Sequence, residues 1–371
     1  MNAGDWRAFC ERLAVLGDAI EGDDLVRAEG YRHLANQVAC WLTYSLGHTD
    51  PARPMFFRSS DPVYQWGGPN ADQVARRAPI SGDGVYRISG SMGTCEEFVL
   101  QVKRGASQSG GAEIDTELLA SSLGLGPGDD FALVLGGDGI ALAPDATFVH
   151  VRDYYFDWRP GPPATFVIER LDTEGEPPPV FAPEHVATIL ATAAGEIEHS
   201  MAFWSGYQDR MLAGQAPNEF GPPAPAGRGV QDVLYSHAPV SLRDDEALVV
   251  ELDPPVDQQW DIQLYNRPWY EALDFRHRVT CLNHALAHRS DDGRVRVVIA
   301  NRDPGCANWL DTEGRAEVLA TIRWWHPPTA PTVDHHLVGL DALPDLPPID
   351  AAARRDELRR RTAHTAWRYR T

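Results

Sequence analysis

Two groups of short β-forming segments, each punctuated by glycine and aspartate, constrain the fold of this chain more than any other feature. The first group contains VYRIS, EEFVLQV, DDFALVLGG, TFVHVRDYYFDW and TFVIER. The second group contains ALVVELDPP, QQWDIQLYN, RVTCLNHALAH, RVRVVIA and AEVLATIRWW. Short strands at this spacing are typical of antiparallel sandwiches and barrels. The sequence therefore predicts an α+β fold of two antiparallel β-sandwich or jelly-roll-like modules with attached helices.

Helical patterns and a proline-rich break set the predicted domain boundaries. Apolar residues recur at helical spacing between residues 5 and 46, and again from Pro183 to about Leu212. We interpret residues 50–82, which are rich in Pro, Gly and Asp, as loop. The predicted organisation is an N-terminal helical region at 1–48, a first β-module at 49–182, a linking helix and linker at 183–229, a second β-module at 230–330, and a C-terminal tail and helix at 331–371.

The two groups of strands resemble diverged copies of one module. Each copy is predicted to open with an aromatic strand, at Tyr86 and at Trp260, and to end with a strand in which an arginine precedes aromatic residues, at Arg152 and at Arg323. Within the second group, RVTCLNHALAHRS and RVRVVIA are predicted to form a hairpin, because the Asp-Gly pair between them favours a tight turn.

Charge and composition exclude several classes of function. The formal net charge of −20 argues against nucleic-acid binding and against an anionic membrane surface. The first residues lack the features of a signal peptide, and the chain has no apolar run long enough for a transmembrane helix, so we expect a cytoplasmic protein. The 5 cysteines contain no C-x-x-C pair. Lys103 is the only lysine, so a Schiff-base mechanism would have to use it.

The segment DPGCANWLDT, residues 303–312, carries the strongest candidate for a ligand pocket. It places a tryptophan between an amide and a carboxylate in a loop at a strand end, which suits the binding of a small molecule. We predict a pocket at the end of the second module. Its predicted substrate-binding residues are Asn283, Asn308, Trp309, Arg323 and Trp324. Its predicted catalytic residues are Asp311, Tyr155 and Arg152.

Structural roles remain open for the same residues. Asp311 and Asn308 would also serve as turn caps, and Trp309 could close the end of a sandwich. Arg152 could form an ion pair between the β-layers. A buried amide such as Asn283 must be hydrogen-bonded, so it either braces a loop or contacts a ligand.

No metal or organic cofactor is expected. His284 and His288 are predicted to lie on one strand, about 13 Å apart, which is too far for one metal ion. The chain has no dinucleotide-binding glycine motif, phosphate-binding loop, nucleophile elbow or H-E-x-x-H motif.

Several segments resemble a known bacterial family. They include WRAFCERLAVLG, RAEGYRHLA, WGGPNAD, VYRISGSMGT, FVHVRDYYFDW, MAFWSGYQDRM, LNHALAH and DPGCANWLDT. Together they resemble the domain of unknown function 1214 family, in its longer actinobacterial form with a helical N-terminal region. The resemblance implies a jelly-roll-like β-fold with attached helices, and it implies no particular activity or cofactor. This chain has Cys306-Ala307 where members often have a small residue and proline.

We therefore favour a cofactor-independent enzyme of the isomerase, cyclase, lyase or hydratase type that acts on a small, partly apolar metabolite. The alternative is a binding protein for a carbohydrate or a hydrophobic metabolite. A third hypothesis is a structural protein whose aromatic residues all lie in the core. A cavity that contains a carboxylate with a raised pKa would favour the enzyme. A shallow aromatic platform without such a group would favour the binding protein, and the lack of a cavity would favour the structural protein. The expected partner is a small molecule, and a homodimer is left open.

Overall fold

The computed structural model describes residues 3–105, 112–173, 175–226 and 229–370. The chain divides into two compact units, which are described separately below. The first unit comprises Met1–Gly67, Gln73–Tyr154 and Pro163–Gly206. The second unit comprises Gly68–Asp72, Tyr155–Pro162 and Tyr207–Thr371.

The first unit contains two N-terminal helices, most of a long third helix and two antiparallel sheets. The helices are α1 (Ala3–Asp18), α2 (Asp24–Gly47) and α3 (Pro183–Met211), whose last turn belongs to the second unit. The strands are β1 (Phe57–Ser60), β2 (Gln73–Pro79), β3 (Tyr86–Ser91), β4 (Glu97–Arg104), β5 (Glu113–Leu119), β6 (Asp130–Leu135), β7 (Ala146–Tyr154) and β8 (Thr165–Arg170).

The strands of the first unit form a sandwich. One sheet has the order β1-β2-β7-β4-β5 and the other has the order β6-β3-β8. Side chains alternate between the two faces of a strand, so Phe98 on β4 points towards the smaller sheet. There its ring lies 5.2 Å from that of Phe131 on β6 and 5.6 Å from that of Phe166 on β8. This aromatic contact joins the two layers.

The helices of the first unit share a separate apolar cluster. Phe9 of α1 and Trp41 of α2 pack there with Ile197 of α3 and Phe57 of β1. The start of α2 is capped by Asp23, whose side chain accepts a hydrogen bond from the backbone of Val26. The helices predicted between residues 5 and 46 are therefore confirmed, although Trp6 and Tyr31 of the predicted apolar stripes are 57% and 53% exposed.

The second unit contains the remaining strands and one C-terminal helix, α4 (Ala351–Arg368). Its strands are β9 (Ala224–Pro225), β10 (Val233–Ser241), β11 (Glu246–Leu252), β12 (Trp260–Tyr265), β13 (Cys281–Asn283), β14 (Val295–Ala300), β15 (Trp309–Asp311), β16 (Glu317–Trp325) and β17 (Asp334–Gly339). The sheet orders are β13-β12-β16-β10-β9 and β15-β14-β11-β17. Residues 331–371, predicted as a tail and a helix, therefore supply a strand to this unit as well as the predicted helix.

A single apolar core fills the sandwich of the second unit. The inward-facing residues of β12 are Trp260, Ile262 and Leu264, and they pack against residues of β11 and β14 from the facing sheet. Trp324 on β16 points into the same core and is 2% exposed. The predicted class, α+β with two antiparallel β-sandwich modules and attached helices, is confirmed.

The five-stranded sheets of the two units have the same strand pattern, because β2, β7, β4 and β5 pair as β10, β16, β12 and β13 do. The equivalence of the strands that carry Arg152 and Arg323 agrees with the predicted duplication. The predicted opening strands were matched wrongly, since Trp260 lies on the counterpart of β4 whereas Tyr86 lies on β3. Single aromatic residues carry too little information to fix such an alignment.

Two local predictions are wrong. The predicted hairpin does not form, because β13 pairs with β12 and β14 pairs with β11 in the other sheet. Residues 50–82 are not all loop, because they contain β1 and β2. The sequence of β2, QVARRAP, does not look like a strand because Arg77 occupies a buried position and Arg76 a half-buried one.

Replacing Trp324 with alanine should lower the free energy of unfolding by about 3–5 kcal/mol, the usual cost of removing a buried aromatic side chain. Urea unfolding measures the change. The matched control is Val256→Ala, because Val256 is 81% exposed and its loss should change the stability by less than about 0.5 kcal/mol. Equal stability of the two variants would contradict the placement of Trp324 in the core.

Candidate functional site

The five-stranded sheet of the second unit has an apolar face and a polar face. On the polar face, paired residues form two rows across four strands. The first row runs Asn283, Asp261, Arg323, Tyr235. The second row runs Cys281, Gln263, Thr321, His237. Two adjacent rows of hydrogen-bonding side chains on a rigid sheet are the main candidate for a site.

The segment Gly68–Asp72 is bound along β12 by the polar side chains of that strand. The Gln263 amide donates to the backbone oxygen of Pro69 at 3.0 Å and accepts from the backbone N–H of Ala71 at 2.8 Å. The Tyr265 hydroxyl donates to the same Pro69 oxygen at 3.1 Å. These bonds satisfy backbone groups that have left regular secondary structure.

Glycine is required at the start of this segment. Gly68 has a φ of +64°, and a Cβ added there would lie 2.3 Å from the ring of Tyr270. Its backbone N–H also donates to the backbone oxygen of Tyr270 at 2.9 Å. A residue with a side chain would be strained and would push the segment away from Tyr270.

Asp261 and Arg323 form a buried ion pair on the first row. The Arg323 Nη1 donates to Asp261 Oδ1 at 2.7 Å, and the Asn70 amide donates to Asp261 Oδ2 at 3.1 Å. Arg323 also donates to the Tyr265 hydroxyl and to the backbone oxygen of Gly68. Burial raises the pKa of Asp261, and the charge and hydrogen bond of Arg323 oppose that rise.

Asp72 is the second buried carboxylate of this network. Its Oδ1 accepts from the indole Nε1 of Trp158 at 2.7 Å and from the Asn283 amide at 2.8 Å. Burial raises the pKa of Asp72 to about 7, and the negative charge of Asp261 raises it further, while the two donors and Arg368 oppose the rise. Asp72 can therefore gain or lose a proton near neutral pH.

Residues of α4 enclose Trp158 on the other side. The His364 ring stacks on Trp158 at 5.2 Å, and the guanidinium groups of Arg361 and Arg368 lie 4.9 Å and 5.1 Å from its rings. Burial lowers the pKa of His364 to about 3, so the ring is neutral. Arg368 also donates to the backbone oxygen of Ala71 at 2.6 Å, which fixes the segment before Asp72.

The polar face reaches the surface along β10. Tyr235 and His237 are half-buried, whereas the other members of both rows are buried. Their rings stack at 6.2 Å, and His237 Nδ1 lies 3.0 Å from the Thr321 hydroxyl. Burial, followed by the charge of Arg323, lowers the pKa of His237 to about 3, so this edge offers a neutral imidazole beside a phenol.

The structure brings some of the predicted site residues to this face. Arg323 and Asn283 occupy the first row. The backbone N–H of Tyr155 donates to the backbone oxygen of Asp72 at 2.8 Å, and its ring lies 6.0 Å from that of His364. Trp324 lies on the opposite face of β16, in the apolar core.

The other predicted residues of the second unit lie on or next to β15, in the smaller sheet. The Asn308 side chain bonds the backbone of His288 and Arg296, which braces a loop. Trp309 packs in an apolar cluster, and its indole donates to the backbone oxygen of Ala300 at 3.0 Å. These contacts give Asn308 and Trp309 structural roles.

The Asp311 side chain has two partners, which both lie outside the strands. Its Oδ1 accepts from the backbone of Glu313 at 2.7 Å, as a turn cap does, and its Oδ2 accepts from the half-exposed Arg278 at 2.7 Å. Arg152, the remaining predicted catalytic residue, belongs to the first unit, where it donates to the Gln101 side chain at 2.8 Å.

The predicted strand placement of His284 and His288 is wrong, because β13 ends at Asn283 and both histidines follow it in irregular structure. Among the described residues, no group of three or more His, Cys, Asp or Glu is arranged to hold a metal ion. Of the helices in the described ranges, none is long and apolar enough to cross a membrane.

Asp72, Asp261 and Trp158 were not identified from the sequence as site residues. For Asp261 a signal exists, because QQWDIQLYN alternates polar residues with Trp260, Ile262 and Leu264. No such alternation marks Asp72, which is the last residue of the family-like segment WGGPNAD and lies in the region predicted to be loop.

Comparisons with known proteins agree with this architecture. The family model described as a protein of unknown function, DUF1214, matches residues 238–329, which include most of both polar rows. An uncharacterised protein from Burkholderia cenocepacia has a crystal structure with a TM-score of 0.83 and 30% sequence identity, over 91% of this chain and 98% of that chain. The chain belongs to the DUF1214 family.

More distant comparisons add no information about function. A protein from Vibrio parahaemolyticus has 9% sequence identity and a TM-score of 0.46, over 82% of this chain and 97% of that chain. No curated protein sequence matches this chain.

Asp311→Asn should lower the free energy of unfolding by about 1 kcal/mol, because the amide can keep the turn bond to Glu313 but loses the ion pair with the half-exposed Arg278. Urea unfolding at neutral pH measures this change. Asp257→Asn is the control, because Asp257 is exposed. Unchanged stability together with altered ligand binding would contradict the structural role and favour the site predicted from the sequence.

Proposed function

We propose that the chain is a cofactor-independent enzyme that acts on a small, partly apolar metabolite, with Asp72 as the group that exchanges a proton. The observation that carries this proposal is a buried carboxylate, Asp72, which accepts a hydrogen bond from Asn283 of the polar face at 2.8 Å and has a pKa raised to about 7. General acid–base catalysis is most effective when the pKa of the catalytic group lies near the working pH. Most carboxylates have a pKa well below neutral pH, and burial raises the pKa of Asp72 into the range that this role requires.

The two buried carboxylates are suited to different roles. Asp261 is paired with the Arg323 guanidinium at 2.7 Å, so its charge is compensated. Asp72 is bonded at Oδ1 by the neutral donors Trp158 and Asn283, which leave it free to hold a proton. Two titratable groups in unlike surroundings are a common basis for dividing acid and base roles.

The lining of the polar face indicates the class of substrate. Tyr235 and His237 are half-buried, and both are neutral hydrogen-bonding groups with aromatic surfaces. Thr321 and Gln263 continue the same row inwards. This arrangement suits a small molecule with a few hydroxyl or carbonyl groups on an apolar frame, and an isomerisation, cyclisation, elimination or hydration.

We further propose a cytoplasmic location and the absence of nucleic-acid partners. All five cysteines are free, which favours a reducing compartment, and the net charge of −20 disfavours polyanions. A homodimer would be compatible with this proposal.

Asp72→Asn is the direct test of the proposed role. A metabolite library is first screened by thermal shift, and compounds that bind are then assayed for conversion. The variant should convert substrate about 10²-fold more slowly or worse, because an amide cannot exchange a proton. Its stability at neutral pH should equal or exceed that of the wild type, since the amide oxygen can still accept from Trp158 and Asn283 without a buried charge.

Asp257→Asn is the matched control for this experiment and should keep full activity. Conversion that survives in Asp72→Asn would contradict the proposal. Binding of compounds without conversion by the wild type would also contradict it, and would favour the alternative of a carbohydrate- or metabolite-binding protein.

A further inference from the structure

The five-stranded sheet of the first unit also has a polar face, and its charge is mainly positive. Arg77, His150, Gln101 and Glu117 form a row across β2, β7, β4 and β5. Lys103 lies two residues beyond Gln101 on β4 and therefore on the same face. The net charge of the chain is −20, yet its only lysine lies beside other basic groups.

Two guanidinium groups near Lys103 are fixed in position. The guanidinium of Arg77 lies within 5.9 Å of four aromatic ring centroids, those of Trp41, Tyr44, Trp66 and Phe148. Arg152 donates to the Gln101 side chain at 2.8 Å. A guanidinium keeps its charge at ordinary pH, so both groups are permanent positive charges on this face.

Lys103 is paired across the sheet with Phe148, whose ring lies 4.8 Å from the Arg77 guanidinium. The strand pairing is irregular on both sides of Lys103, at β5 and at β7. Such irregularities often occur where a sheet redirects side chains towards a site. Lys103 itself is 3% exposed, so its amine is largely removed from water.

These surroundings favour the neutral amine. Burial lowers the pKa of Lys103 to about 7, Arg152 and Arg77 lower it further, and Glu117 opposes them. From the helices, Tyr44 and Glu196 face Arg77. A neutral lysine amine at ordinary pH is a nucleophile towards carbonyl groups.

His150 supplies a second indication of a ligand. Its Nε2 is buried and has no hydrogen-bond partner among the described residues. Burial, with the charges of Arg152, Arg77 and Lys103, holds its pKa well below the usual value, so the ring is neutral. A ligand on this face would satisfy that nitrogen, since buried polar atoms are rarely left without a partner.

We propose that Lys103 forms an imine with a small aldehyde or ketone that carries an anionic group. The amine nitrogen adds to the carbonyl carbon, and a proton moves from that nitrogen to the oxygen to give a carbinolamine. The nitrogen then loses a proton as the hydroxyl leaves as water, so that a C=N bond forms without any change in oxidation state. Arg152 and Arg77 would attract the anionic group, and His150 would donate a hydrogen bond to the ligand or accept one from it. This site belongs to the first unit and does not depend on the role of Asp72.

Reductive trapping on the full-length protein tests the proposal. Native protein is incubated with glyoxylate and cyanoborohydride, which reduces an imine to a stable secondary amine, and peptide mapping then locates the label. Because Lys103 is the only lysine, the N-terminal amine is the only other primary amine of the chain. Acetaldehyde, which lacks the carboxylate, is the matched probe.

The expected label is on Lys103, and its rate should rise with pH through about 7 rather than through the ordinary lysine value of 10.5. Glyoxylate should react about tenfold faster than acetaldehyde at Lys103, the effect of one charge-assisted contact. Urea-denatured protein should lose both properties. Label on the N-terminal amine alone in the native protein would overturn the proposal, as would equal rates for both probes with a midpoint near 10.5.

Two variants separate chemistry from folding. Lys103→Met should abolish the internal label while keeping a neutral side chain of similar length at this buried position. Arg152→Gln should raise the midpoint for labelling by about one pH unit and reduce the preference for glyoxylate, because a nearby charge is lost. Arg87→Gln, which alters an exposed ion pair of the same unit, is the control and should change neither property. An Arg152→Gln profile identical to that of the wild type would count against the charge-based mechanism.

Discussion

The attachment of Gly68–Asp72 to β12 is the interaction on which the rest of the second unit depends. Asp261, Gln263 and Tyr265 are alternate residues of one strand, and each of them bonds this segment directly. The opposite side of the same strand carries Trp260, Ile262 and Leu264 into the apolar core. One strand therefore holds the core with one face and positions a buried polar network with the other.

Asp261 has a positively charged partner in this network, whereas the hydrogen-bond donors to Asp72 are neutral. This difference is the basis of the proton exchange proposed for Asp72. Removing a carboxylate from water costs several kcal/mol unless other groups replace the lost hydration. Arg323 supplies that replacement for Asp261 through an ion pair. Asp72 receives neutral donors at Oδ1 and lies close enough to Asp261 for their charges to interact, so protonation relieves the cost. The first unit shows the same principle with the opposite sign at Lys103, where burial and neighbouring cations favour the neutral amine.

The sequence was sufficient for the fold class, because strand alternation and spacing determine it. It also singled out Arg323 and Asn283, which lie in one polar row of the second unit. It was not sufficient for Asp72, since Asp72 and Asn283 meet across 211 positions and no local pattern encodes that contact. It also favoured Asn308, Trp309 and Asp311, whose spacing suits a pocket but whose partners in the structure are backbone groups and a half-exposed arginine. Lys103 was recognised as unique, but its burial beside Arg77 and Arg152 follows only from strand order.

The most direct test of this account is the protonation of Asp72, and the indole N–H of Trp158 reports on it because it donates to Asp72 Oδ1 at 2.7 Å. In ¹H–¹⁵N spectra, the Trp158 resonance is assigned by its loss in Trp158→Phe and is then followed as the pH is varied. The account predicts an upfield shift of the indole proton as the pH falls, with a midpoint near 7, and no such shift in Asp72→Asn. A resonance that does not move in the wild type until the pH approaches the ordinary aspartate value of 3.8 would contradict it, because Asp72 would then be ionised at neutral pH.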